Sequence, residues 1–95
     1  MRSTRAVLFV LMHIAGFISA TNAQTPDQRR CFDRDPDLSI SGCTAIIQSG
    51  RKTQQNQAVV FYTRGNAYLR KGQLHRAIAD YDQAIRLNPS YADAF

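Results

Sequence analysis

Glutamate and tryptophan are absent from this sequence, and there are only two histidines and two cysteines among its 95 residues. All the acidity therefore comes from aspartate. One histidine, His13, falls in an apolar N-terminal stretch, which leaves His75 as the other candidate base. That is poor material for acid–base catalysis. Asp80 and Asp82 flank Tyr81 on what should be the exposed side of a helix, so they do not form a carboxylate pair in an apolar setting. No glycine-rich phosphate loop, Ser/His/Asp order or metal-ligand cluster is present, which predicts no enzyme, no metal and no cofactor. Long apolar runs are lacking too. The longest, Ala6–Ile18, is about 13 residues against the roughly 20 that span a bilayer. The basic pairs at 29–30, 51–52 and 70–71 are isolated and carry no aromatic stripe between them, which argues against nucleic-acid binding.

The first 23 residues have the three parts of a secretory signal: two arginines in "MRSTR", a short apolar segment, and "SATNA" with Thr21 and Ala23 before the expected cut. An uncleaved N-terminal anchor is the alternative, and the short apolar length counts against it. Cleavage after Ala23 would leave 72 of the 95 residues. Losing Arg2 and Arg5 would lower the formal charge from +5 to +3. The expected location is therefore periplasmic or secreted.

Export changes how the cysteines read. Cys31 and Cys43 are an even pair in an oxidising setting, which predicts a structural disulfide. A bridge closing a loop of this size stabilises by about 3 kcal/mol. Unpaired thiols, or a metal or redox site, are the alternatives. Zinc needs four ligands, and redox dithiols favour the tighter C-x-x-C spacing.

Beyond the leader, "QTPDQRR" reads as a mobile segment. Asp35-Pro36-Asp37 signals a helix start. Leu38, Ile40, Cys43, Ile46 and Ile47 give that helix a rough apolar stripe, and Gly50 can end it in a left-handed conformation. Thr53 is a candidate N-cap for a helix over 54–71, on which Phe61, Gly65 and Tyr68 share a face. Gly72 ends it. A second helix over 73–87 should bury Leu74, Ala77, Ile78, Tyr81, Ala84 and Ile85, and Asn88-Pro89 should stop it. The fold class is all-α: antiparallel helix hairpins of an α-solenoid. The expected organisation is a signal peptide at 1–23, a disulfide-stapled N-terminal cap with a degenerate repeat helix at 24–52, and a full hairpin plus the start of another at 53–95.

The spacing of Phe61, Gly65, Tyr68, Ala77, Tyr81, Ala84 and Pro89 resembles the tetratricopeptide repeat, whose 34-residue signature has aromatic, small, aromatic, small, aromatic, small and proline places in that order. The likeness covers Ala58–Pro89, about a third of the chain. Arg64 departs from it, since leucine is usual there, and this makes the seam between the helices less apolar. The pattern restarts at Ala92, with Phe95 in the aromatic place. Upstream, Ile40 and Ile47 precede Ile78 and Ile85 by 38 residues, as a degenerate earlier repeat would. Because such arrays usually need at least three repeats, the resemblance implies a fragment of a longer array, or stabilisation by the disulfide, self-association or a partner.

The resemblance implies a protein–protein interaction scaffold that receives a protein or peptide in a groove lined by the first helix. The corresponding residues are Val59, Tyr62, Asn66, Leu69 and Arg70. Asn66 matches an asparagine that bonds ligand backbone or terminal carboxylate in some members, and Arg70 could pair with an acidic group. Tyr62 stands where members that clamp a terminal carboxylate have lysine, which points away from that mode. The alternative function is an N-terminal accessory segment of a longer exported enzyme or envelope-assembly factor.

Overall fold

The computed structural model describes residues 24–50 and 52–94. The leader reading of residues 1–23 and the aromatic place of Phe95 lie outside these residues. Among the described residues there are four α-helices, a terminal 3-10 turn and no strand: α1 (Pro26–Cys31), α2 (Pro36–Ser49), α3 (Gln54–Arg70), α4 (Leu74–Leu87) and the turn Pro89–Ala94. The regular structure of the described residues is all helical, as the periodicity predicts. Each helix packs on the next along the sequence, and α1 also touches α3.

The helix α1 corrects the expectation that "QTPDQRR" is a mobile segment. Thr25 Oγ1 accepts the Gln28 N–H at 3.2 Å, and Gln28 Oε1 accepts the Thr25 N–H at 2.9 Å, a reciprocal capping box. Pro26 stands in the first turn, where its missing N–H costs nothing. Six residues make a marginal helix alone. Tertiary support comes from the Cys31–Cys43 disulfide, with its Cα atoms 4.4 Å apart. Gly42 adds to it: a Cβ there would meet the Cys31 nitrogen at 2.4 Å and the Asp27 oxygen at 2.6 Å. Only a glycine lets α2 press on the α1 backbone this closely.

The start of α2 is fixed locally. Asp35 Oδ1 accepts the Asp37 N–H at 2.8 Å and the Leu38 N–H at 3.3 Å. Gly50 ends the helix at φ 63°. The buried stripe is rotated from the expected one. Ser39, Gly42, Cys43 and Ile46 are buried, whereas Leu38 is 44% exposed and Ile40 and Ile47 are half-buried. Ser39 can go inside because its hydroxyl donates to the Cys31 carbonyl at 2.6 Å. Cys31, Cys43, Ile46 and Val60 form the core joining α1, α2 and α3.

Thr53 caps α3 by accepting the Asn56 N–H at 3.3 Å. Gly72, at φ 73°, turns the chain into α4. The face that α4 buries differs from the expected one at three places. Ala77 and Ala84 are inside and Tyr81 is half-buried, but Leu74 and Ile78 are 55% and 56% exposed. Asp80, expected outside, is 5% exposed. Asp80 goes inside because Arg64 enters the seam where leucine would stand and pairs with it. The chain leaves α4 at Asn88 and forms the 3-10 turn from Pro89, so the last helical segment begins before the expected Ala92.

Candidate functional site

The residues of interest lie on the hairpin of α3 and α4, whose seam sets their positions. Arg64 Nε and Nη2 each lie 2.7 Å from an Asp80 carboxylate oxygen, and Nη1 donates to Thr44 Oγ1 at 3.1 Å. One guanidinium thus ties α2, α3 and α4 together in a bidentate geometry. Its Cζ is 5.5 Å from the Phe61 ring centroid and 5.7 Å from that of Tyr68. The hydrogen bond to Asp80 raises the Arg64 pKa further above its already high ordinary value, against the opposing effect of burial. Arg76 also stacks on the Tyr68 ring, with its Cζ 5.7 Å from the centroid.

Gly65 governs the other side of the seam. A Cβ at this position would lie 2.7 and 2.9 Å from two carbons of the Tyr81 ring. Without one, the ring lies against the α3 backbone, and its hydroxyl donates to Asn66 Oδ1. Burial raises the Tyr81 pKa above its ordinary 10.0, and the neighbouring Tyr62 adds to the rise. Tyr62 makes a tilted contact with Tyr81, centroids 5.9 Å apart, and stacks on Tyr91 of the 3-10 turn at 5.3 Å.

The stripe Val59, Tyr62, Asn66, Leu69, Arg70 therefore divides in two. Val59, Tyr62 and Asn66 are half-buried, and Tyr62 and Asn66 are held by Tyr81 and Tyr91. Leu69, at 48% exposed, and Arg70 are open to solvent. Of the packing residues, Ala77, Ala84 and Gly65 are buried, Phe61, Tyr68 and Tyr81 are half-buried, and Pro89 is exposed. His75 is exposed and lines a depression of about 390 Å³ at the turn with Gly72, Gln73, Leu74 and Arg76; the stripe contributes nothing to it. Among the described residues, no group of three or more His, Cys, Asp or Glu side chains could hold a metal ion. No helix among them is long and apolar enough to cross a membrane.

Sequence reasoning missed the Arg64–Asp80 pair and the Tyr81–Asn66 bond. The signal for the first was present. Arg64 and Asp80 each lie eight residues from Gly72, as Tyr68 and Arg76 each lie four. Antiparallel helices joined by a tight turn bring such mirror positions together.

Residues 58–91 match the family model described as the tetratricopeptide repeat. No curated protein and no solved structure matches the chain.

Proposed function

We propose, on the premise that this chain is a tetratricopeptide-repeat protein with its repeat at residues 58–91, that it is a protein-contact module of an exported, oxidising compartment. The repeat implies an interaction role and protein partners, and such modules are typically non-catalytic. The observation that carries the reading is the α3 stripe on the rigid hairpin. Its inner part is fixed by Tyr81 and Tyr91, and its outer part offers Leu69 and Arg70 to a partner. Positioned side chains on a rigid element lower the entropy cost of binding.

Periplasmic or secreted location is supported by the tripartite leader in residues 1–23 and by the Cys31–Cys43 bridge, a pairing that persists outside the reducing cytosol. The intact mass of the endogenous protein, before and after reduction, tests the location. A start at Gln24 and a gain of about two hydrogens on reduction are expected; a mass that retains Met1 would sink the export reading. The groove is tested with Asn66→Ala and Arg70→Ala in a partner pull-down. Undiminished capture by both variants would remove the stripe from the account.

A second reading has its own observation. Leu74 and Ile78 form an exposed apolar face along α4, such as a further helix of a longer exported enzyme or envelope-assembly factor would cover. Coding sequence that continues past Phe95 into a catalytic domain would favour this reading, and a stop codon there would end it.

A further inference from the structure

At the end of the hairpin away from Gly72, where the start of α3 meets the end of α4, lies a cavity of about 320 Å³. Gln54, Gln57 and Phe61 reach it from one face of α3, at intervals of three and four. Gln83 and Leu87 reach it from α4, Ile47 from the last turn of α2, and Lys52 from the connector. No residue of the α3 stripe lines it, and no acidic residue does. Glutamines elsewhere in the chain serve their own helix ends: Gln28 Oε1 accepts the Thr25 N–H, and Gln73 Oε1 accepts from Arg76 Nη1. The side chains of Gln54, Gln57 and Gln83 make no hydrogen bond among the described residues. Gln57 is the sharpest case, because its Oε1 is shut off from solvent and no donor among those residues serves it. Such an acceptor has lost its water and gained nothing in return, and native interiors rarely keep one. Lys52 forms no ion pair among the described residues either.

We propose that this cavity binds one hydroxyl-rich ring, a free monosaccharide or the terminal sugar of a glycan, with Gln57 as its innermost contact. This goes beyond the contact-module reading and does not rest on it. A carboxamide presents an NH₂ at one end and a carbonyl at the other, and a hydroxyl both donates and accepts. A ring of hydroxyls therefore answers all three glutamines, whichever end each presents. For Gln57 it supplies the donor that Oε1 lacks, once a turn of the terminal amide brings that oxygen to the cavity. Phe61, Leu87 and Ile47 give an apolar wall for the C–H face of the ring. The size suits a single ring rather than a chain, since ligand pockets run from roughly 300 to 1,000 Å³ and this one lies at the small end. The ammonium of Lys52, with no acid around the cavity, favours a ring that bears a carboxylate over one that bears an amine.

The test uses the full chain and follows the side-chain NH₂ resonances of Gln54, Gln57 and Gln83 by NMR. The probes are glucose, glucuronate, glucosamine, a trisaccharide with glucuronate at its non-reducing end, and N-acetylglutamine methylamide as a mimic of peptide. Glucuronate should bind with a Kd of about 1 mM, the strength open to so small a ligand. Glucose should bind about threefold more weakly, and glucosamine more weakly still. Gln57→Leu should weaken every sugar by about tenfold and leave the thermal midpoint unchanged or higher, because it removes the buried unpaired acceptor. A glutamine with a merely structural role would do the reverse, lowering the midpoint and sparing the binding. Lys52→Gln should bring glucuronate and glucose to equal affinity. If Gln57→Leu fails to fold, Gln83→Ala decides, with an expected loss of about fivefold. Amide resonances that no sugar moves overturn the site, and so does sugar binding undiminished in Gln57→Leu. Tighter binding of glucosamine than of glucuronate overturns the role of Lys52. A response to the peptide mimic alone overturns the sugar class. Binding of the trisaccharide as well as free glucuronate assigns the site to a glycan end, and binding of the free sugar alone assigns it to a monosaccharide. The contact module is tested separately, by the groove variants above.

Discussion

The two helix hairpins of this chain solve one problem in different ways. In α1–α2 the first helix is only six residues long, and the hairpin closes by a covalent bond and by backbone laid on Gly42. In α3–α4 the helices run for 17 and 14 residues, and the seam closes by side chains: Arg64 on Asp80, and the Tyr81 ring on Gly65. The buried positions still correspond. Ser39, Gly42, Cys43 and Ile46 on α2 stand 38 residues before Ala77, Asp80, Tyr81 and Ala84 on α4. Where the second hairpin fills its seam with an ion pair, the first removes side chain altogether at Gly42. The difference teaches how helix length sets the means of closure. A six-residue helix buries too little surface to hold itself in place, so a crosslink and direct backbone contact replace the packing that longer helices supply.

Arg64→Leu should break the second hairpin most severely. It leaves the Asp80 carboxylate inside without its partner, at a cost of about 3–4 kcal/mol in urea denaturation. Arg64→Leu with Asp80→Leu should recover most of that, because the lone buried charge is then gone. A double variant as unstable as the single would show that geometry rather than charge controls the seam.

The glycines offer a direct contrast. Gly42→Ala drives a methyl into the α1 backbone, which has nowhere to go, and should cost about 3 kcal/mol. Gly65→Ala meets a ring that can swing aside, so about 1–2 kcal/mol is expected. Equal losses in thermal melts would erase the distinction between backbone-on-glycine and ring-on-glycine contact. Replacing both Cys31 and Cys43 by serine should cost about 2–3 kcal/mol. Hydrogen exchange should localise the loss to α1 and α2 and leave α3–α4 protected; uniform loss would mean the hairpins unfold as one unit.

The smallest effect is a pH dependence confined to the second hairpin. The Tyr81 phenol is raised by burial, so the folded state favours its neutral form. Its contribution is fully present below the ordinary tyrosine value of 10.0 and is lost as pH rises through the higher folded value. Denaturation midpoints of the parent should therefore fall above pH 10 by more than those of Tyr81→Phe. Parallel curves would remove this effect.

Most helix ends were legible because their chemistry is local. Thr53, Asp35 with Pro36, Gly50 and Gly72 act on groups within four residues of themselves. The start of α1 is equally local, since Thr25 and Gln28 form the S/T-x-x-Q pattern of a capping box. Sequence alone reads it as a mobile segment, because only tertiary contacts make six residues stay helical. The stripe on α2 was misjudged by ranking residues by hydrophobicity. Ser39 is inside because Cys31 offers a carbonyl to its hydroxyl, and no property of serine alone reveals that acceptor.

By itself the sequence determined the helical class, the places where most helices begin and end, and the spacing of the repeat. Those depend on backbone sterics, capping and periodicity, which act over one or two turns. Only the tertiary structure decided that Arg64 and Asp80 neutralise each other inside the seam, that Leu74 and Ile78 stay outside, and that Tyr81 holds the oxygen of Asn66. A polar side chain is stable in the interior only when its partner is delivered from another helix, and that delivery depends on how the helices cross.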